Sequence, residues 1–219
     1  MPLALYGHPF SSYTWKVLIA LDENRTLFDF RVISPETPQH AADWARLWPI
    51  RQFPVLLDGD HAVAESTIII EHLHLHHRGP TPLLPDDPRA ALDVRFLDRL
   101  FDLHVMAPMQ RAVEGALSGD PARGREGEAY AAEKLERAYA LLETMLAART
   151  WAAGEEFTMA DCAAAPALFY ADWTYRIGEE FPRLRAYRAR LLTRPSVARV
   201  VDAARPYRSY FPLGAPDRD

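Results

Sequence analysis

Residues 79–88, Gly-Pro-Thr-Pro-Leu-Leu-Pro-Asp-Asp-Pro, carry four prolines and no helical or strand period. Each proline fixes φ and removes a backbone donor, so no regular element is expected to cross this stretch. It reads as a linker, placed at 80–88, and the apolar pattern differs on its two sides. Before it, Leu3–Tyr6 reads as a strand and residues 12–23 as an amphipathic helix. Leu27–Ile33 alternates apolar and polar side chains, the period of a half-buried strand, and residues 41–47 suggest a short helix. Strand patterns flank Asp58-Gly59-Asp60, a hairpin signal, and from Ser66 the pattern is helical until Gly79. The order is βαβ followed by ββα. After the linker every pattern is helical, over 89–117, 126–148, 159–172, 181–192 and 196–204. A loop, Ser-Gly-Asp-Pro-Ala-Arg-Gly-Arg, separates the first two, and Pro108 is expected to kink or split the first. The expected architecture is an α/β domain over 1–79 and an all-α domain over 89–219.

Composition narrows the function classes. The 219 residues suffice for one large or two small domains, with 49% apolar and 25% charged side chains as in ordinary globular proteins. The net charge of −5 gives no reason to expect nucleic acid or an anionic membrane as partner. The longest nearly apolar run, Cys162–Ala171, holds about half of what a bilayer span needs, and no basic-then-apolar leader opens the chain. The single cysteine, Cys162, has no internal disulfide partner, which fits a reducing compartment and a cytoplasmic setting.

Five stretches could carry chemistry or punctuate the fold. In Gly7-His8-Pro9-Phe10-Ser11-Ser12-Tyr13-Thr14, four consecutive hydroxyls stand where the first strand becomes a helix, either as caps or as donors to something reactive. In Arg51-Gln52-Phe53-Pro54-Val55-Leu56, a proline heads a strand, and an aromatic–proline bond there can be cis, turning the Val55 backbone outward toward an extended peptide ligand. Glu65-Ser66 stands at a helix start, where backbone N–H groups hold a carboxylate and Glu65 an ammonium, as an amino-acid ligand requires. Phe157-Thr158-Met159-Ala160-Asp161 is a capping box with Phe157 and Cys162 as staple, a structural device. His72 and His76 share a helical face at i, i+4, but no second ligand set accompanies them, so no metal is expected.

Taken together, the element order, Pro54 before the third strand, Glu65-Ser66 and the helical second half resemble the cytosolic glutathione transferase family over nearly the whole chain. The most specific parts are Ser11–Leu21, Pro49–Gly59 with Ala62–Thr67, and Phe157–Asp161, in order and suitably spaced. The first two look most like serine-type members of zeta or theta kind, in particular the zeta patterns S-S-C-S-W-R-V and P-x-K-Q-V-P. The zeta branch includes maleylacetoacetate isomerases.

The resemblance implies a thioredoxin-like first domain that binds glutathione as co-substrate and a helical second domain that supplies an electrophile pocket. Ser11, with Ser12 behind it, would hydrogen-bond the sulfur. Val55 after Pro54 would pair with the cysteinyl backbone, Glu65 and Ser66 would hold the γ-glutamyl group, and Gln52, Arg51 and His40 would approach the glycyl end. Pocket candidates are Phe10, Tyr13, Met106, Met109, Tyr170 and Trp173, with His104 and Arg111 as polar ones. The aromatic segment Tyr207–Phe211 could fold over that pocket or pack elsewhere. The implied activity is attack of the glutathione thiolate on a small hydrophobic electrophile, as in detoxification, by a homodimer contacting through the 66–78 and 89–117 helices. Two alternatives stand beside it: a maleylacetoacetate-type cis–trans isomerase and a non-catalytic glutathione-binding or assembly module. Two departures matter. Tyr13 replaces the zeta cysteine, and Trp173 stands where zeta isomerases place an arginine for the substrate carboxylate, with Arg176 three residues on.

Overall fold

The computed structural model describes residues 3–219; Met1 and Pro2, with which the first expected domain begins, lie outside the described residues. The N-terminal half is built from β1 (Leu3–Gly7), α1 (Ser12–Glu23), β2 (Phe28–Val32), α2 (Pro38–Leu47), β3 (Val55–Asp58), β4 (His61–Ala64) and α3 (Ser66–His76). The sheet order is β2-β1-β3-β4, with β1 parallel to β2 and antiparallel to β3, and β3 antiparallel to β4. The expected βαβ–ββα order is present. The hairpin turns on Gly59-Asp60, where Gly59 adopts φ +61, a backbone state open to glycine at little cost.

The helical half comprises α4 (Pro88–Leu100), α5 (Ala107–Leu117), α6 (Pro121–Met145), α7 (Met159–Thr174), α8 (Pro182–Thr193) and α9 (Pro195–Ala204), then a 3₁₀ segment Arg205–Tyr210. Pro108 does not break the path between α4 and α5. The chain widens into a π-helical segment over Phe101–Met106 and stays helical, which accommodates a residue that cannot donate to the carbonyl four positions back. The loop expected over 118–125 is shorter than its composition suggests. Asp120 caps α6 by accepting from Ala122 N–H at 2.8 Å, and Pro121 takes the first helical position, where a missing N–H costs nothing.

α7 is buried along nearly its whole length and forms the axis of the helical half. Its start uses the capping box: Asp161 accepts from Thr158 N–H at 2.9 Å, and its other oxygen accepts from Ala152 N–H and the Tyr187 hydroxyl at 2.8 and 2.6 Å. Burial pushes the Asp161 carboxyl up, and these donors oppose that shift.

The two halves share one apolar core, in which Trp15 of α1 packs on Phe169 and Tyr170 of α7 at 4.9 and 5.2 Å between centroids. Polar ties reinforce the contact. Glu23 at the end of α1 takes a bidentate pair from Arg194 at 2.6 Å and a bond from the Ser196 hydroxyl. Burial alone would raise the Glu23 carboxyl, but Arg194 and Ser196 hold it below the usual range.

Candidate active site

The start of α1 is locked from several directions. Trp15 is fully buried and its indole N–H donates to Pro9 C=O at 2.5 Å, while Ser11 N–H donates to His8 C=O at 3.0 Å. Gly7 lets Thr14 close over the end of β1, since a Cβ there would stand 2.7 Å from the threonine side chain. Ser11 is itself the N-cap, accepting from Thr14 N–H at 3.3 Å, and its hydroxyl proton remains available for donation. Ser12 is the first helical residue. It is buried, and its hydroxyl accepts from the Gln110 amide at 3.4 Å.

Ser11 stands at the junction of two cavities. The larger, about 1110 Å³, is a polar cleft between the halves, lined by Arg51, Gln52, Phe53, Pro54, Glu65 and Ser66 from the first and by Arg99, Asp102, Gln110 and Arg111 from the second. The smaller, about 280 Å³, is lined by His8, Phe10, Ser11, Ser12, Phe53, Met109, Gln110, Val113, Leu117, Tyr170, Tyr210, Phe211 and Pro212, and is mostly apolar. No lysine or arginine is among those residues.

On the cleft's sheet side the Phe53–Pro54 bond is cis. Val55 is fully buried in register with Tyr6 on one side and Ala64 on the other, so its backbone is part of the sheet and does not line the cleft. Phe53, on the other side of the proline, lines both cavities, and among the described residues its N–H and C=O have no hydrogen-bond partner. The loop before it is held by the Trp44 indole N–H, which donates to Gln52 C=O at 3.1 Å. Arg51 and Glu65 both adopt positive φ, +59 and +69, on the cleft wall. Such strain in non-glycine residues costs of order 1–3 kcal/mol and gathers at functional sites. Glu65 occupies the N-cap position of α3 and Ser66 its first helical position, one residue later than a serine cap would stand.

The floor is an ionic network. Lys16, 1% exposed, has its Nζ 2.6 Å from Asp98 and 2.9 Å from Asp102, and it donates to the Thr67 hydroxyl at 2.8 Å; Arg99 donates to Asp102 at 3.0 Å. Burial raises the Asp98 carboxyl, and Lys16 opposes the rise. Tyr13 lies above this floor. Its phenol is pushed up to about 12, first by burial and then by the Asp102 carboxylate, so it is a neutral donor throughout the physiological range.

Other expected positions fall elsewhere. Tyr13 and Arg111 line the polar cleft instead of the apolar cavity, and Arg111 stands 3.9 Å from Glu126. His104 is exposed on the π-helical segment and Met106 is 1% exposed in the core; neither lines either of these two cavities. Trp173 is buried behind the apolar cavity, against Phe10 and Phe211, with Arg208 over its ring at 4.8 Å. His40 lies outside the cleft lining, with its Nδ1 2.9 Å from Val32 C=O. Phe10, Met109 and Tyr170 do line the apolar cavity, and the Tyr170 hydroxyl donates to Phe10 C=O at 2.9 Å.

The chain as a whole matches known proteins. Residues 1–74 match the family model described as Glutathione S-transferase, N-terminal domain, and residues 90–190 that described as Glutathione S-transferase, C-terminal domain. Glutathione S-transferase 3 of Zea mays is 31% identical over 166 residues, 73% of this chain and 74% of that protein. The chain belongs to the glutathione S-transferase family. A probable maleylacetoacetate isomerase of Vibrio cholerae is 25% identical, covering 94% of this transferase and 98% of its own length. A solved glutathione S-transferase of Methylobacillus flagellatus, with glutathione bound, superposes with a TM-score of 0.72 at 26% identity, over 90% of this chain and 98% of that one.

In this transferase several lining residues escaped the sequence reading: His8, Trp48, Thr67, Arg99, Asp102, Gln110 and Val113. Arg99 and Asp102 carry ordinary helical spacing and sit at the cleft only because α4 and the π-helical segment face α1. The aromatic C-terminal segment does fold over the apolar cavity: Tyr210 and Phe211 line it, and Tyr207 packs on His8 at 4.7 Å. Burial lowers His8, and its Nδ1 accepts from Phe10 N–H at 3.1 Å. Among the described residues, no helix is long and apolar enough to cross a membrane.

Proposed function

We propose that glutathione binds along the polar cleft and that its thiol is held as thiolate by Ser11 for attack on a small hydrophobic electrophile in the apolar cavity. The observation that carries this reading is the position of Ser11, the residue shared by the cleft and the apolar cavity whose hydroxyl proton is free and which starts a twelve-residue helix. A free thiol of pKa about 8.5 is only a few per cent ionised at neutral pH. Lowering it by two units takes about 2.7 kcal/mol. A hydrogen bond to a charged acceptor contributes about 1.5–3 kcal/mol and a helix N-terminus about 0.3–1, so one hydroxyl at this helix start suffices.

The rest of the tripeptide follows from the cleft's chemistry. The unpaired main chain of Phe53 suits the cysteinyl backbone, in the role expected for Val55. Glu65 and the N-terminus of α3 suit the γ-glutamyl ammonium and carboxylate, while Arg51 and Gln52 suit the glycyl carboxylate.

The V. cholerae relative keeps the isomerase reading in view, but its substrate class is a carboxylate-bearing diketo acid. The apolar cavity has no lysine or arginine in its lining, and Arg176 is exposed beyond the end of α7. Conjugation therefore fits better. The unit is proposed to be a homodimer. Exposed Ile68 and Leu75 of α3 and exposed Leu92 and Phe96 of α4 lie on adjacent helices bridged by Arg95–Glu71, an apolar face a second copy would cover. Glutathione-affinity retention followed by an electrophile panel tests the activity. Turnover of aryl halides is expected; turnover confined to maleyl-type diketo acids would establish the isomerase, and retention without turnover a binding module.

A further inference from the structure

Away from both cavities, the far end of the sheet gathers an unexplained set of imidazoles. Asp58 ends β3, His72 lies on α3, and His77 is the C-cap of α3. The His72 and His77 Nε2 atoms stand 2.9 and 2.7 Å from the same Asp58 oxygen, and the three ligand atoms all lie within 4.8 Å of one another. His76 and His61 surround the group, with ring centroids 4.5 and 5.7 Å from that of His72, so half of the chain's eight histidines converge here.

We propose that Asp58, His72 and His77 form a binding site for a divalent transition-metal ion of the zinc or cobalt kind. Two imidazoles and a carboxylate are a donor set such ions favour. The charge is suited as well: Asp58 supplies a carboxylate, and the C-terminal end of α3 adds partial negative charge. The size fits after a small adjustment. Metal–ligand distances of about 2.0–2.2 Å put tetrahedral ligand atoms about 3.3 Å apart, roughly half an ångström beyond the two present His–Asp58 spacings.

The ring protons now given to Asp58 must move to Nδ1 or leave when Nε2 takes the metal. Partial exposure, 13% for His72, 32% for His77 and 25% for Asp58, leaves a path for the ion and room for water or a fourth histidine. The site joins the end of β3 to α3, with His72 about 9 Å and His77 about 17 Å along that helix from Ser66. Its role is therefore to brace the domain, separately from the thiol chemistry.

The test uses the untagged, chelator-stripped full chain. Co²⁺ titration followed by visible absorption, and Zn²⁺ titration by calorimetry and thermal melting, should give one equivalent bound and a raised Tm. His77→Ala, at an exposed helix end, and Asp58→Asn should each weaken binding at least tenfold, while the exposed and distant His104→Ala should leave it unchanged. His72→Ala is the less secure variant because His72 is more buried. The proposal is overturned if the unmodified chain neither binds nor gains stability at micromolar metal. It is equally overturned if His77→Ala and Asp58→Asn bind as the parent does while His61→Ala or His76→Ala loses the ion.

Discussion

Replacing Ser11 with alanine removes two things at once, and their magnitudes separate them. The capping bond to Thr14 N–H is long, at 3.3 Å, so its loss should cost stability toward the low end of the usual range, about 0.5–1 kcal/mol. The lost hydrogen bond to the thiolate, about 1.5–3 kcal/mol, corresponds to a rise of about one to two units in the bound thiol pKa. A more basic thiolate is also a better nucleophile, with a Brønsted slope of about 0.4–0.5, so roughly half of the lost ionisation returns as intrinsic reactivity. The deficit in kcat/KM with an aryl halide should thus be about three- to tenfold well below both pKa values, and it should vanish or reverse above them. The assay is the full pH profile of kcat/KM, paired with the ultraviolet titration of bound thiolate. Ser11→Asp restores a capping oxygen without a donor; it should recover stability and leave the thiol pKa high. Ser12→Ala should leave the profile in place, since that side chain is buried and does not line the polar cleft. A loss in Ser11→Ala that is uniform across pH, or a profile moved by Ser12→Ala instead, would refute the reasoning.

Other outcomes follow from the same geometry. Glu65→Gln should raise KM for glutathione about tenfold with kcat nearly unchanged, the small factor reflecting an exposed carboxylate; steady-state kinetics with varied glutathione checks it. Lys16→Met leaves Asp98 buried without its close cation and Asp102 with Arg99 alone, and should destabilise by about 3–5 kcal/mol in denaturant unfolding. The Glu23 carboxyl is held low when folded, so its contribution is complete above the ordinary glutamate value of 4.5 and fades as pH falls through the lower folded value. Glu23→Gln should accordingly flatten the acid limb of stability below about 4.5, read from urea midpoints across pH. Leu92→Glu with Phe96→Glu should convert the proposed dimer to monomer in light scattering; a parent chain already monomeric there would contradict the homodimer.

What the sequence disclosed, and what it hid, divides by the range of the interactions involved. α1 was legible at both ends because its cap, period and stop are local, and the βαβ–ββα order followed from alternation and one turn. Ser11 and Glu65-Ser66 were legible because helix starts announce themselves. The π-helical segment was not: Pro108 alone reads as a break, and only packing of Phe101, Val105 and Met106 into the core keeps the path helical. The backbone facing the cleft was misplaced by two residues, since no local pattern shows that Val55 is already paired on both sides of the sheet. The Lys16 network and the Asp58–His72–His77 cluster each join separate elements, and a search for i, i+4 pairs on one helix finds neither.

The central claim is that Ser11, and neither Ser12 nor Tyr13, meets the sulfur. A crystal structure of the glutathione complex tests it most directly. The account predicts the sulfur about 3–3.5 Å from Ser11 Oγ at the mouth of the apolar cavity, with the γ-glutamyl group at Glu65-Ser66. A sulfur bonded to the Tyr13 hydroxyl, or a tripeptide lying outside the cleft, would contradict it.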